Sequence, residues 1–254
     1  MEQADLQKVL QQHLEMETFF TGDFTIRRPR KPAPCAPPAR DVPDAQQIVA
    51  PKPADTEDTL EKIAAEIRAC QKCEIGKTRT HAVPGEGNPH ARLVFVGEAP
   101  GADEDEQGRP FVGRAGKLLT DIITAMGLSR DDVFIANILK CRPPGNRDPK
   151  PDEIHNCRPF LKRQLELIQP EIIVALGAHA ARTLLETKDP IGQMRGHFHE
   201  YRFSENAPPA KLMPTYHPAY LLRNYSYDNR KRVWEDMVKV LKELGLPVPQ
   251  KEKK

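Results

Sequence analysis

The chain lacks most of the features that would assign it to a class at once. No apolar run approaches the roughly 20 residues that a membrane-spanning helix needs, so no membrane partner is expected. Residues 1–20 are charged and polar throughout, without an apolar stretch followed by a small-residue cleavage site. No secretory signal is therefore expected, and the cytosol or nucleoid is the expected location. Internal repeats are absent, which excludes a solenoid. Net charge is only +2, too little to imply a nucleic-acid partner from bulk electrostatics. Cysteine is scarce, at five residues, and in an intracellular protein five point to metal, catalysis or idle thiols rather than disulfides.

What is present suits one sizeable domain with accessory segments, since the chain has 254 residues. Residues 1–20 place Leu6, Val9, Leu10, His13 and Leu14 on one side of a short helix. The stretch 29–53 then holds eight of the 25 prolines. Proline removes backbone donors and fixes φ, so this stretch is expected to be a semi-rigid, disordered linker. The expected division is an extension at 1–54, a folded domain at 55–247 and a charged tail at 248–254.

Hydrophobic periodicity places helices at 58–69 (Leu60, Ile63, Ala64, Ile67), at 115–126, at 151–168, from Gly177 to about 185, and around Val233, Met237, Val240, Leu241 and Leu244. Apolar runs at 93–96, 133–138 and 172–176 read as buried strands. A weaker strand at 212–215 contains Pro214, which favours an edge or a strand end. Strands alternating with helices predict an α/β fold, with a parallel sheet covered on both faces.

Ligands bind open parallel sheets at the carboxyl ends of the strands. Gly97-Glu98-Ala99-Pro100-Gly101 follows the first strand, Asn137 ends the second, and His217-Pro218-Ala219-Tyr220-Leu221 follows the fourth. A carboxylate, an amide and an imidazole therefore share one sheet edge. The cysteines form a second constellation. Cys70 and Cys73 make a C-x-x-C after the first helix, Cys141 lies just past the second strand, and Cys157 lies in the following helix. Four thiolates at this spacing suit Zn²⁺ or a [4Fe–4S] cluster, and spacing does not choose between them. Cys35 stands apart in the proline-rich stretch. Basic residues cluster at Lys140, Arg142, Arg147 and Lys150, and again at Arg223, Arg230, Lys231 and Arg232.

The motifs Gly97-Glu98-Ala99-Pro100-Gly101, Gly108-Arg109-Pro110-Phe111-Val112-Gly113, Asn137-Ile138-Leu139-Lys140-Cys141-Arg142-Pro143-Pro144 and His217-Pro218-Ala219-Tyr220-Leu221-Leu222-Arg223-Asn224 together resemble the family 4, iron–sulfur uracil-DNA glycosylases, across 67–246. The resemblance implies a three-layer αβα domain with a central four-stranded parallel sheet, and a [4Fe–4S] cluster on Cys70, Cys73, Cys141 and Cys157 that braces a DNA-binding loop. It implies a monomer acting on uracil-containing DNA in base excision repair, releasing the base and leaving an abasic site.

On that resemblance, Phe111 stacks on the flipped base and Asn137 reads the O4 and N3–H edge of uracil. Gly97, Ala99 and Gly101 border the base, with backbone N–H groups near Ala99 and Gly101 as further donors. His217 donates to the developing uracil anion, and Glu98 activates or orients water and favours the cationic sugar. Glu104 and Asp105 compete with Glu98 for that role. Leu221 resembles the family's wedge, with Leu222 as the adjacent competitor. Arg142, Arg147 and Arg223 suit phosphate contacts. Ala219 departs from a Ser common in the family, which removes one hydroxyl contact to a phosphate.

Three other readings bear on function. A uracil-binding or covalently trapping relative would carry Gln in the first motif and a basic, His-bearing insertion; Ala99 and residues 109–118 lack both. An accessory iron–sulfur protein of replication would use the N-terminal extension to hold a protein partner. A hydrolase of small nucleosides would have no use for a wedge or basic loops.

Overall fold

The structure, a computed structural model, describes residues 19–20, 24–25, 58–203, 208–224 and 226–251. In chain order the elements are β1 (Phe24–Thr25), α1 (Leu60–Ala69), α2 (Ile75–Thr78), β2 (Glu86–Gly87), β3 (Leu93–Gly97), α3 (Ala102–Gln107), α4 (Arg114–Ala125), β4 (Phe134–Asn137), α5 (Pro151–Ile168), β5 (Ile172–Leu176), α6 (Ala178–Leu185), α7 (Ile191–Met194), β6 (His199–Tyr201), β7 (Ala210–Thr215), α8 (Pro218–Arg223), α9 (Tyr227–Glu243) and β8 (Gln250–Lys251). No helix among the described residues is long and apolar enough to cross a membrane.

The main sheet runs β2-β4-β3-β5-β7-β6. Its four central strands are parallel, as expected, and short antiparallel strands border them on both sides. Strand side chains alternate between faces, and the core divides accordingly. Leu93, Phe95, Ile135, Val174 and Met213 pack with α4 and α9, through Leu119, Ile123, Val240 and Leu241. Val94, Val96, Ala136, Ile173 and Leu212 pack on the other face with α5 and α6, through Leu165, Ala180 and Leu184. The fold is thus three-layered αβα. Each such aliphatic side chain, once fully buried, contributes about 1.5–3 kcal/mol.

Pro214 sits where the sequence anticipates a strand end. Lys211 N–H donates to Glu171 O on the β5 side, so alternation turns position 214 toward β6. β6 has already ended there, its last pair being His199 with Leu212. No ladder bond is lost to the ring.

The N-terminal segment is not wholly separate from the domain. Phe19 and Phe20 are buried in the core cluster on the α9 side. The Phe19 ring stands edge-on to Tyr227 at 5.5 Å, and the Arg230 guanidinium lies over the Phe20 ring at 5.7 Å. β1 pairs antiparallel with β8. Of the helix expected across 1–20 only Phe19 and Phe20 are among the described residues; residues 1–18, the proline-rich linker and Cys35 lie outside them.

Candidate active site

The carboxyl ends of β3, β4, β5 and β7 open onto a cleft of about 610 Å³, a volume suited to a small organic group. Glu98, Ala99, Gly101, Phe111, Asn137, His217, Arg147 and Arg223 all border it, so six expected base-site or catalytic residues and two expected phosphate contacts are brought together. Leu139 N–H donates to Glu98 O at 3.0 Å and Ile138 N–H to Gly97 O at 2.9 Å, which extends the β3–β4 ladder and fixes the backbone under Glu98.

The base-sized end of the cleft is built by close approach. A Cβ at Gly97 would lie 2.3 Å from Asn137 Oδ1 and 2.6 Å from Phe111 Cζ, so only glycine lets these two side chains meet over the sheet edge. Asn137 is 1% exposed, and its Oδ1 is buried without a hydrogen-bond partner. A buried, unpaired acceptor costs about 1–3 kcal/mol, so it marks a site prepared for a donor.

Phe111 adopts φ 53°, a left-handed conformation that costs a bulky residue about 1–3 kcal/mol. Several contacts enforce it. Arg130 donates to Phe111 O at 3.0 Å and to Pro110 O at 2.8 Å, and is itself held by Glu86 at 2.7 Å. Glu104 accepts from Val112 N–H at 2.9 Å and Gly113 N–H at 3.0 Å. Gly116 lets α4 close in, since a Cβ there would fall 2.0 Å from the Phe111 carbonyl carbon. The held ring lies 5.7 Å from the His217 ring at an interplanar angle of 33°.

His217 caps α8, its Nδ1 accepting from Ala219 N–H at 3.1 Å. That bond leaves Nδ1 unprotonated and puts the proton of the neutral ring on Nε2, as a donor. Burial, with Arg223 nearby, pushes the ring's pKa down to about 4 despite the opposing field of Glu104. The ring is therefore a neutral donor at neutral pH. Below it, Thr215 Oγ1 donates to the buried Asp236 at 2.7 Å, and Arg195 pairs with Asp236 at 2.6 Å, which ties the end of β7 to α9.

Glu98 differs from its two sequence rivals. Burial raises its carboxyl above the ordinary 4.5; His179 opposes that shift, Asp148 adds to it and Arg223 opposes it. Glu104 is instead spent on the Val112, Gly113 and Gly101 N–H groups, and Asp105 accepts from Thr80 N–H through both oxygens at 3.1 Å. Both act as loop braces, so of these three carboxylates Glu98 is the one not bonded to loop N–H groups, and Asp148 borders the cleft with it. The Gly101 N–H is for the same reason not a further donor to the base, because Glu104 Oε2 takes it at 3.0 Å.

Several other expectations are corrected. Leu221, the expected wedge, is 1% exposed and packed in the core of this DNA-free structure, while Leu222 beside it is only partly buried. Lys140 is 1% exposed, donates to Gln164 Oε1 at 2.7 Å and is pushed by burial down to about 8, which removes it from the basic surface. Arg230 is buried over Phe20. Arg147 borders the cleft but is paired with Glu153 at 2.6 Å and 2.9 Å. Arg142 donates to Asn146 Oδ1 at 2.7 Å on the same loop, and Arg223 remains exposed.

Cys70, Cys73, Cys141 and Cys157 carry free thiols that border one small cavity, beneath a satellite core of Ile63, Ile67, Ile75, Leu139 and Phe160. Burial is the largest influence on three of them, raising Cys73 and Cys141 and pushing Cys157 up to about 12, and the sulfurs also raise one another. Arg79 Nη1 donates to Cys141 Sγ at 2.9 Å and Lys140 N–H to Cys157 Sγ at 3.2 Å. Four converging thiols with N–H donors aimed at two of the sulfurs fit a thiolate-bound metal group.

Sequence reasoning left Arg130, Glu86 and His179 unassigned. Arg130 and Glu86 act on Phe111 from 19 and 25 residues away, so their signal is geometric rather than local. His179 follows Gly177 at the end of β5, and the strand-end rule that singled out Glu98 applies to it equally.

The sequence profile of the uracil DNA glycosylase superfamily matches residues 84–238. The type-4 uracil-DNA glycosylase of Saccharolobus solfataricus is 50% identical over 193 residues, 74% of this chain and 88% of the relative. That of Sulfurisphaera tokodaii is 47% identical over 194 residues, 74% and 86% of the two chains. That of Thermotoga maritima is 45% identical over 184 residues, 72% and 93%. The chain belongs to the uracil DNA glycosylase superfamily and, within it, to the type-4 branch.

Proposed function

We infer that the protein is a DNA-repair enzyme that flips uracil out of DNA and hydrolyses its N-glycosidic bond, leaving an abasic site. The observation that carries this reading at the site is Asn137 Oδ1, a buried acceptor without a partner beside the Phe111 ring. A flipped uracil stacked on Phe111 offers N3–H to that oxygen and O4 to the amide nitrogen. Cytosine presents an acceptor and an amino group at the same edge and mismatches both.

Bond cleavage places negative charge on the departing base and positive charge on the sugar. His217 Nε2–H donates to uracil O2 as that charge grows, and the ring, being neutral, keeps a proton to donate. Glu98 stabilises the cationic sugar and accepts the proton of the attacking water. Arg223 and Arg142 hold flanking phosphates, and Leu222 retains the exposed surface with which to enter the duplex. All of these residues come from one chain, so a monomer suffices.

The four cysteines would hold a [4Fe–4S] cluster. Held by four protein thiolates, it would supply a rigid anchor for the 141–147 loop rather than a site for water. The Phe19–Phe20 pair fastens the N-terminal segment to α9, which leaves the rest of that segment to carry a protein partner.

Single-turnover excision from a uracil-containing oligonucleotide tests the assignments. Glu98→Gln and His217→Ala should each slow release by roughly 10²-fold or more. Near wild-type rates in both would overturn them.

A further inference from the structure

The mechanism above employs Glu98 but neither of its two titratable neighbours. His179 stands on the first turn of α6, and Asp148 lies in the loop that leads to α5. The ligand atoms of Glu98, Asp148 and His179 lie within 4.8 Å of one another, with His179 Nε2 3.6 Å from Asp148 Oδ2. Three separate segments thus bring an imidazole and two carboxylates together at the cleft.

The other charged or titratable groups bordering this space are Arg223, Arg147, Glu104, His217, Tyr216 and Tyr220. Arg147 is neutralised by Glu153 and Glu104 is bonded to backbone N–H groups, while His217 is already assigned to the base in the mechanism proposed. Arg223 is exposed, and the phosphate contact proposed for it would draw it away once DNA binds. A DNA strand filling the cleft removes water and adds negative charge, and both favour protonation of a carboxylate. Some cation must oppose this if Glu98 is to accept a proton from water.

We propose that His179, set beside both Glu98 and Asp148, is the positioning residue that opposes protonation of Glu98 and holds it toward the attacking water in the DNA-bound enzyme. This rests on Glu98 being the water-activating carboxylate. His179 acts through Glu98 and forms no bond with the substrate. One proton moves from water to Glu98 as the water oxygen bonds to the sugar carbon, and the base leaves with the electron pair of the broken bond.

The test is the pH dependence of single-turnover uracil release at saturating enzyme, for wild type, Glu98→Gln, His179→Asn and His179→Lys. His179→Asn should move the acid limb upward by about one pH unit, slowing release about ten-fold below the limb and by no more than about three-fold above it. His179→Lys, which places a fixed cation there, should restore the limb. His179 is a partly exposed surface side chain, and matched thermal midpoints would show that both variants fold. A uniform loss of rate with an unmoved limb, or no change at all, would overturn the inference while leaving Glu98 in place, provided the limb vanishes in Glu98→Gln. Persistence of the limb in Glu98→Gln would overturn the Glu98 assignment and the inference together.

Discussion

Gly97→Ala is the smallest perturbation that addresses how the base site is built. The added methyl carbon would start 2.3 Å from Asn137 Oδ1 and 2.6 Å from Phe111 Cζ, against ordinary contact beginning at 3.4 Å. Asn137 must therefore retreat by about 1 Å, or the end of β3 must tilt. Retreat is obstructed, because Asn137 is fully enclosed and Phe111 is clamped by Arg130 and Glu104. Overpacking of this kind costs roughly 1–3 kcal/mol of stability. A displacement of about 1 Å in a positioning group costs on the order of 10² in rate. The two effects separate experimentally. Urea unfolding reads the first, and single-turnover excision, well below the unfolding transition, reads the second. Excision should fall about 10²-fold in a protein that remains folded. A rate within three-fold of wild type would refute the claim that Asn137 and Phe111 form one fixed slot over Gly97.

Further outcomes follow from the same geometry. Arg130→Ala removes the donor to two carbonyls of the Phe111 turn and should lower stability by about 1–3 kcal/mol. Excision should slow by about ten-fold or more as Phe111 leaves its left-handed conformation, with circular dichroism and single-turnover kinetics as the checks. His217 favours its neutral form in the fold, since its pKa falls from 6.5 to about 4. The unfolded chain therefore binds that proton first, so the stability is complete above about pH 6.5 and is lost as pH falls toward about 4, by roughly 3 kcal/mol in total. Urea titrations at several pH values should show that slope in wild type and its loss in His217→Ala. Cys157→Ser should lower bound iron, abolish the visible absorbance of a cluster and lower the thermal midpoint, measured on freshly isolated protein.

How far the sequence carried the account depends on the range of the interactions. β3 and β5 read as continuous apolar runs because parallel strands are buried on both faces, and α5 was legible over its full length despite Pro159 inside it. β2 and β6 have two and three residues, too few for alternation to register. α3 is a six-residue acidic turn without an apolar stripe. Gly97, Asn137 and His217 could be placed because the strand-end rule is topological. The choice among Glu98, Glu104 and Asp105 could not, because it turns on which backbone N–H groups reach each carboxylate. Leu221 and Leu222 are adjacent and chemically alike, and only the packing of α8 shows which of them faces the core. Phe19 and Phe20 have the same origin, since nothing local announces that a pair so distant in sequence docks on α9.

The central claim is hydrolysis, and the products test it most directly. A labelled oligonucleotide with a single uracil, incubated with the full-length protein, should yield free uracil, an alkali-labile abasic strand and no protein–DNA adduct, while the matched thymine strand stays intact. Absence of free uracil, or retention of the strand on the protein through denaturation, would contradict the account and favour a binding or trapping protein on the same scaffold.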